Sequence, residues 1–186
     1  PSKGSWALPG GFVKMHESLE SAAIRELEEE TGVKDVYLEQ LYTFGDPKRD
    51  SRGRVITVVY MALINSEDIK LKASTDTSDV NFFPIKKLPV VAFDHKKILE
   101  YALKRLKWKF EYSTVAFSML PEKFTISQIQ KLYEIVFDKE FDKRNFAKKI
   151  LSLNILKENG INKNVSYRPP MLYSLKADIG EIIEII

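Results

Sequence analysis

The stretch GFVKMHESLESAAIRELEEETGV, Gly11 to Val33, decides how this chain is read. From Leu19 it carries the marks of a helix. Ser18 stands where an N-cap belongs, Ala22, Ala23 and Leu27 make a narrow apolar stripe, and Gly32 supplies the stop. Glu26, Glu29 and Glu30 fall at i, i+3 and i+4, so three carboxylates project from one face. Such a face repels itself unless a cation sits against it. Arg25, four residues before Glu29, can steady one of the three, while Glu28 points away. A glutamate run on a helix is ordinarily a solvated surface. Oxygen ligands gathered round one internal cation suggest instead a hard divalent ion, which for Mg²⁺ means carboxylates, waters and substrate phosphate. The preceding loop, Leu8-Pro9-Gly10-Gly11-Phe12, brings two glycines that let backbone come close to such an ion.

The spacing Gly11-x5-Glu17-x7-Arg25-Glu26-Leu27-x-Glu29-Glu30-x-Gly32-Val33 resembles the Nudix box at every defined position. That resemblance implies metal-assisted attack of water on a diphosphate, with Mg²⁺, or Mn²⁺ in its place, as cofactor. It makes Glu26, Glu29, Glu30 and Arg25 the catalytic set, with Glu26, Glu29 and Glu30 as metal ligands and the general base unassigned. Glu17 is expected to reach a second ion or to orient the others, Arg25 to orient Glu29, and Gly11 to give a backbone contact. Two further segments, Phe44-Gly45-Asp46-Pro47-Lys48-Arg49-Asp50-x-Arg52-Gly53-Arg54-Val55 and Leu88-Pro89-x-x-Ala92-Phe93-Asp94-His95-x-x-Ile98-Leu99, resemble the Nudix branch that acts on or senses ADP-ribose. That branch includes ADP-ribose pyrophosphatases and Nudix-related regulators of NAD metabolism, in which a winged helix follows the Nudix domain. In the first segment Lys48, Arg49, Arg52 and Arg54 are suited to a diphosphate's charge, the arginines bidentately. Phe44 is a candidate to stack on adenine, although a phenylalanine at a strand end is more often core. His95 is read as a capping-turn residue beside Asp94 rather than a catalyst, and His16 has no role.

Composition narrows the classes further. The chain has 186 residues, 44% of them hydrophobic, enough for one large domain or two small ones. No apolar run approaches the roughly 18–20 residues of a membrane span. The absence of cysteine excludes disulfides and thiolate metal sites and suits a cytoplasmic location. The net charge of +3 is small, but its distribution is uneven: +2 over residues 1–110 and +5 over residues 112–176.

Along the chain, strands are expected at 36–44, 54–64, 69–72 and 79–85, with a helix from His95 to Lys107 capped by Asp94. This alternation predicts an α/β class, a Nudix α/β/α sandwich over residues 1–110, with the boundary near Lys109 to Ser113. Residues 111–176 are expected to form a winged helix-turn-helix. Thr125 caps a helix from Ile126 to Phe137, and Asp142 caps a second from Lys143 to Leu153 whose core face is Phe146, Ile150, Leu151 and Leu153. A hairpin follows, with strands at 155–157 and 171–175. Lys143, Arg144, Asn145 and Lys148 would then face the major groove of double-stranded DNA, and Arg168, beside Pro169-Pro170, the minor groove. Sequence-specific binding would call for a homodimer; a basic dimerisation module is the plainer alternative. Residues 177–186 form a tail with acids among isoleucines, expected to pack as a helix or as an added strand at a subunit interface.

Proteins with the box normally place one or two strands ahead of it, and only Pro1 to Ala7 precede Leu8, so an amino-terminal segment is expected to be missing. Two functions compete: a hydrolase of ADP-ribose or a related nucleoside diphosphate derivative with a DNA-binding domain, and an ADP-ribose-sensing repressor with little hydrolysis. Keeping three repelling carboxylates favours the first.

Overall fold

The computed structural model describes residues 4–64, 69, 71–73, 79–161, 169–180, 183 and 185. The chain divides into two compact units, Pro1–Ala102 and Leu103–Ile186.

In the first unit, helix α1 spans Leu19–Thr31 and begins and ends on its own caps. The Ser18 hydroxyl accepts the Ser21 N–H at 3.1 Å, and Gly32, at φ 75°, donates its N–H to the Glu28 carbonyl at 2.9 Å. The left-handed turn there is the reason for glycine. Ala22 is buried and Ala23 and Leu27 are half-buried, which gives the narrow stripe its packing face. Strand β1, Glu39–Phe44, pairs antiparallel with β2, Thr57–Met61, in a register that sets Phe44 opposite Thr57 and slips at Leu41. Both strands are shorter than the alternation predicts. Tyr60 on β2 donates its hydroxyl to Glu20 at 3.1 Å, tying this ribbon to α1.

The strands expected at 69–72 and 79–85 do not form among the described residues. Near Asp79 the side chain competes with a ladder: its carboxylate accepts the Val80 N–H and the Asn81 amide, both at 2.8 Å. A short 3₁₀ turn at Ile85–Lys87 follows. Lys72 instead donates its N–H to the Thr31 carbonyl at 2.9 Å. Ahead of the box, Trp6 forms a parallel bridge to Val91, and its ring meets Phe83 edge-on at 4.6 Å. Helix α2, His95–Tyr112, runs five residues beyond the expected end because nothing from Trp108 to Tyr112 breaks it; the division between the units falls within it.

The second unit packs the last part of α2 with α3 (Val115–Ser118), α4 (Ile126–Phe137), α5 (Lys143–Ser152), β3 (Leu156–Ile161) and β4 (Met171–Leu175). α4 opens with a complete capping box between Thr125 and Gln128, and the Asp142 carboxylate caps α5 by accepting the Asn145 N–H at 2.8 Å. Strand β4 pairs antiparallel with β3 in a two-stranded sheet, and its Tyr173 also makes an isolated antiparallel bridge to Phe124. A bulge at Asn159-Gly160, with Gly160 at φ 82°, interrupts β3. Phe110, Ile129, Tyr133, Phe146, Ile150 and Tyr173 form the centre of the core, and the Tyr133 hydroxyl donates to the Phe110 carbonyl at 2.9 Å. Leu151, expected on the core face, is exposed. It lies one residue past Ile150, which turns it off the stripe.

The tail also differs from expectation. Ile183 and Ile185 donate their N–H groups to the carbonyls of Tyr112 and Glu111 at 2.7 and 2.6 Å. Ile185 is fully buried in the core of its own unit, so these described tail residues are spent within the chain.

Candidate functional site

Arg25 is the centre of the box. Its Nε and Nη2 donate to Glu17 Oε2 and Oε1 at 2.9 and 2.7 Å, and its Nη1 donates to both Glu26 Oε1 at 2.6 Å and Glu29 Oε2 at 3.0 Å. Three carboxylates thus share one guanidinium, and the orienting contact to Glu29 is one of its four hydrogen bonds to carboxylates. Glu30 lies beside this group and accepts the Gly10 N–H at 3.1 Å, while the Phe12 carbonyl accepts from Arg25 Nη2 at 3.3 Å. Glu28, on the other side of α1, pairs with Lys34.

Glu17, expected to reach a second ion or to orient the others, is engaged by Arg25. Both of its oxygens face Arg25, and the Lys14 N–H adds a bond at 2.8 Å. The Arg25 bonds, followed by that backbone bond, hold its carboxyl down to about 2, well below the ordinary value. Glu26 and Glu29, which share Nη1 of Arg25, and Glu30 are the other carboxylates of the box beside it.

Gly11 explains how backbone reaches Glu26. A methyl group built on Gly11 would overlap Glu26 Oε1, so the carboxylate occupies the space that any other residue would fill. What would have to move is the end of a flexible side chain. Gly11→Ala is therefore expected to fold nearly as well as the parent but to displace Glu26, weakening divalent-ion affinity roughly tenfold, the lower end of the loss seen when support around a metal is removed. Mn²⁺ titration followed by electron paramagnetic resonance, beside a thermal melt, separates the two effects.

This donor set fits a hard divalent ion. Two carboxylates already converge on a single positive centre, with a third beside them, and all the oxygens are hard. Among the described residues no three acidic side chains are gathered so as to hold an ion by themselves. Mg²⁺ is commonly held by one or two carboxylates, with water and phosphate taking its other positions.

The basic loop between β1 and β2 is corrected more strongly. Arg49 Nε and Nη2 donate to Asp94 Oδ2 and Oδ1 at 3.0 and 2.7 Å, and Nη1 donates to the Thr57 hydroxyl at 2.5 Å. With Arg49 and Asp94 only 5% and 12% exposed, this arginine ties the loop to the start of α2 and is not presented to a ligand. Arg52 closes on the buried Asp50 at 2.7 Å and rests over the Phe93 ring at 4.9 Å, yet half of it stays exposed. Arg54 is exposed, with Nη1 on the Gly45 carbonyl at 2.6 Å. Part of the loop's positive charge is thus neutralised within the protein. Phe44 packs against Tyr42 and Tyr101, at 5.3 and 6.0 Å between ring centres, as a member of an aromatic cluster.

Asp50 is held down to about 2, chiefly by Arg52. Glu17 and Asp50 both have folded values below their ordinary ones, so the stability they contribute is complete above about pH 4.5 and is lost as the pH falls toward 2. A series of thermal melts from neutral to acid pH is expected to show this decline, and Glu17→Gln is expected to reduce it.

In the second unit α5 places Lys143, Arg144, Asn145 and Lys148 in solvent while Phe146 and Ile150 are buried. Among the described residues no ion pair engages Lys143, Arg144 or Lys148. Arg168 lies outside the described residues. Sequence reasoning missed Asp94 as the partner of Arg49, 45 positions away, and nothing local signals it; Asp50, two residues from Arg52, was in plain view.

Comparison with known proteins agrees with both units. Residues 1–105 match the NUDIX domain family, and residues 116–175 match the NrtR DNA-binding winged helix domain. The chain is 36% identical over 177 residues to the ADPR responsive transcriptional repressor NtrR of Acinetobacter baylyi, covering 93% of this chain and 70% of that protein. It is 42% identical over 110 residues to the ADP-ribose pyrophosphatase of Methanocaldococcus jannaschii, covering 59% of this chain and 62% of that one. NrtR of Shewanella oneidensis, solved with a 27mer DNA, superposes with a TM-score of 0.75 at 36% identity, over 95% of this chain and 82% of that chain. Its Nudix domain, solved with ADP ribose, superposes with a TM-score of 0.52 at 40% identity, over 57% and 71%. The chain belongs to the Nudix family, in the NrtR type that joins a Nudix domain to a winged helix.

Proposed function

We propose that this chain binds ADP-ribose or a related nucleoside diphosphate derivative at its Nudix box, cleaves the diphosphate with Mg²⁺, and binds double-stranded DNA through α5, with the ligand weakening the DNA complex. The observation that carries the reading is the intact box, in which Arg25 gathers Glu17, Glu26 and Glu29 while Glu30 holds Gly10. Glu26, Glu29 and Glu30 would hold the metal, with Mn²⁺ a possible replacement for Mg²⁺. When bound, the ion withdraws charge from the phosphate oxygens and lowers the pKa of water. Arg25 keeps the carboxylates in register, Gly11 gives Glu26 room, and Arg52 and Arg54 are the arginines of the β1–β2 loop still exposed to a diphosphate.

For DNA, the exposed Lys143, Arg144, Asn145 and Lys148 at the first turns of α5 are suited to phosphates and base edges in the major groove, and Arg168 is proposed for the wing. A homodimer would present two copies of α5 to two half-sites. We assign residues 1–110 to the Nudix domain, 111–176 to the winged helix and 177–186 to the tail. No helix among the described residues is long and apolar enough to cross a membrane, and we place the protein in the cytoplasm.

A second reading, ligand sensing with little hydrolysis, is favoured by one feature: the Acinetobacter baylyi relative that matches 93% of this chain at 36% identity is an ADPR responsive transcriptional repressor. Incubation with ADP-ribose and Mg²⁺ decides between them. Release of AMP and ribose 5-phosphate supports hydrolysis; unchanged ADP-ribose at micromolar protein supports sensing alone.

A further inference from the structure

His95 has no part in the proposed chemistry, yet it touches the loop that leads into the box. Trp6 and residues 90–92 form an isolated parallel bridge: Trp6 donates its N–H to the Val90 carbonyl at 3.1 Å and accepts the Ala92 N–H at 2.8 Å. The next rung of a parallel ladder would send the Leu8 N–H to the Ala92 carbonyl. That rung does not form in the usual way. The chain turns at Phe93, at φ 52°, and the Ala92 carbonyl accepts the His95 N–H at 3.2 Å. The Leu8 N–H goes instead to His95 Nδ1 at 2.9 Å. The imidazole stands in for the missing carbonyl.

We propose that His95 is the positioning residue of the box loop, its neutral ring extending the pairing by one rung and so fixing where the backbone groups of residues 10–12 meet α1. Two residues on, Gly10 donates to Glu30, and two further, the Phe12 carbonyl accepts from Arg25. Residues 9–13 are exposed, so hydrogen bonds rather than packing hold this loop. Because a backbone N–H is the donor, Nδ1 must carry no proton, which leaves the ring proton on Nε2. Burial favours that neutral state, holding the value of His95 below its ordinary 6.5. Asp94 opposes this shift and Arg49, across the loop, adds to it. With the folded value depressed, the contact is fully present above about pH 6.5 and is lost as the pH falls through the folded value.

The geometry of the contact stands by itself; its consequence for catalysis rests on the Nudix reading above. Amide hydrogen exchange of the full chain tests it in the parent, His95→Leu and His95→Asn, whose side-chain carbonyl restores an acceptor. His95→Leu is expected to speed exchange at Leu8 and Gly10 about tenfold, the scale of one lost hydrogen bond, with α1 and α4 unchanged. After correction for intrinsic rates, acidification that protonates His95 should loosen the same amides in the parent and leave His95→Asn indifferent. Unchanged exchange in His95→Leu would overturn the proposal, as would equal loosening of α1 and α4, or an acid response in His95→Asn matching the parent. ADP-ribose cleavage assayed on the same parent sample keeps the questions apart: the expected exchange pattern without cleavage would leave His95 as the positioning residue and reject only the hydrolysis.

Discussion

Glu29→Gln is expected to slow Mg²⁺-dependent cleavage of ADP-ribose on the order of a hundredfold, the cost of removing one electrostatic contributor from a transition state. The substitution keeps shape and removes charge. Glu29 is exposed, and Arg25 would still hold Glu17 and Glu26, so the melting temperature should stay put while the rate falls. Such a separation is the signature of a ligand rather than a structural acid. Steady-state kinetics on the parent and the variant, with Mg²⁺ varied, measures it. A variant as fast as the parent at every Mg²⁺ concentration would remove Glu29 from the mechanism.

The second large effect concerns DNA. If six or more phosphates are contacted by two copies of α5 and its surroundings, affinity should fall by on the order of a thousandfold between about 50 and about 200 mM salt. Lys143→Ala with Arg144→Ala should flatten the slope by roughly two counterions for each α5 in contact, because both side chains are exposed and, among the described residues, neither is held in an ion pair. Fluorescence anisotropy with a labelled operator fragment across a salt series gives both quantities. An affinity independent of salt, or a slope unchanged in the double variant, would remove α5 as the DNA-contacting helix.

What the sequence revealed was local. Ser18 and Gly32 bound α1, Thr125 opens α4 and Asp142 opens α5, because a cap is written within three or four residues of the helix it closes. The box was legible for the same reason, since all its acids lie on or just before one helix. Long-range pairings were not. Arg49 read as a free ligand arginine because Asp94 lies far along the chain, and His95 read as a cap because its partner, Leu8, lies 87 positions away. The strand expected at 79–85 failed where the Asp79 side chain captured its own neighbours. The buried Ile185 was invisible because one isoleucine among several carries no period.

The claim that joins the two units is that a ligand at the box controls DNA at α5. Its most direct test is a DNA-binding isotherm of the full chain with and without ADP-ribose, repeated with Glu29→Gln so that the ligand is consumed far more slowly. The account predicts that ADP-ribose shifts the isotherm to weaker binding in both proteins, by about fivefold or more, the lower bound of an ordinary allosteric coupling. Superimposable isotherms, with ADP-ribose shown by calorimetry to be bound, would contradict it.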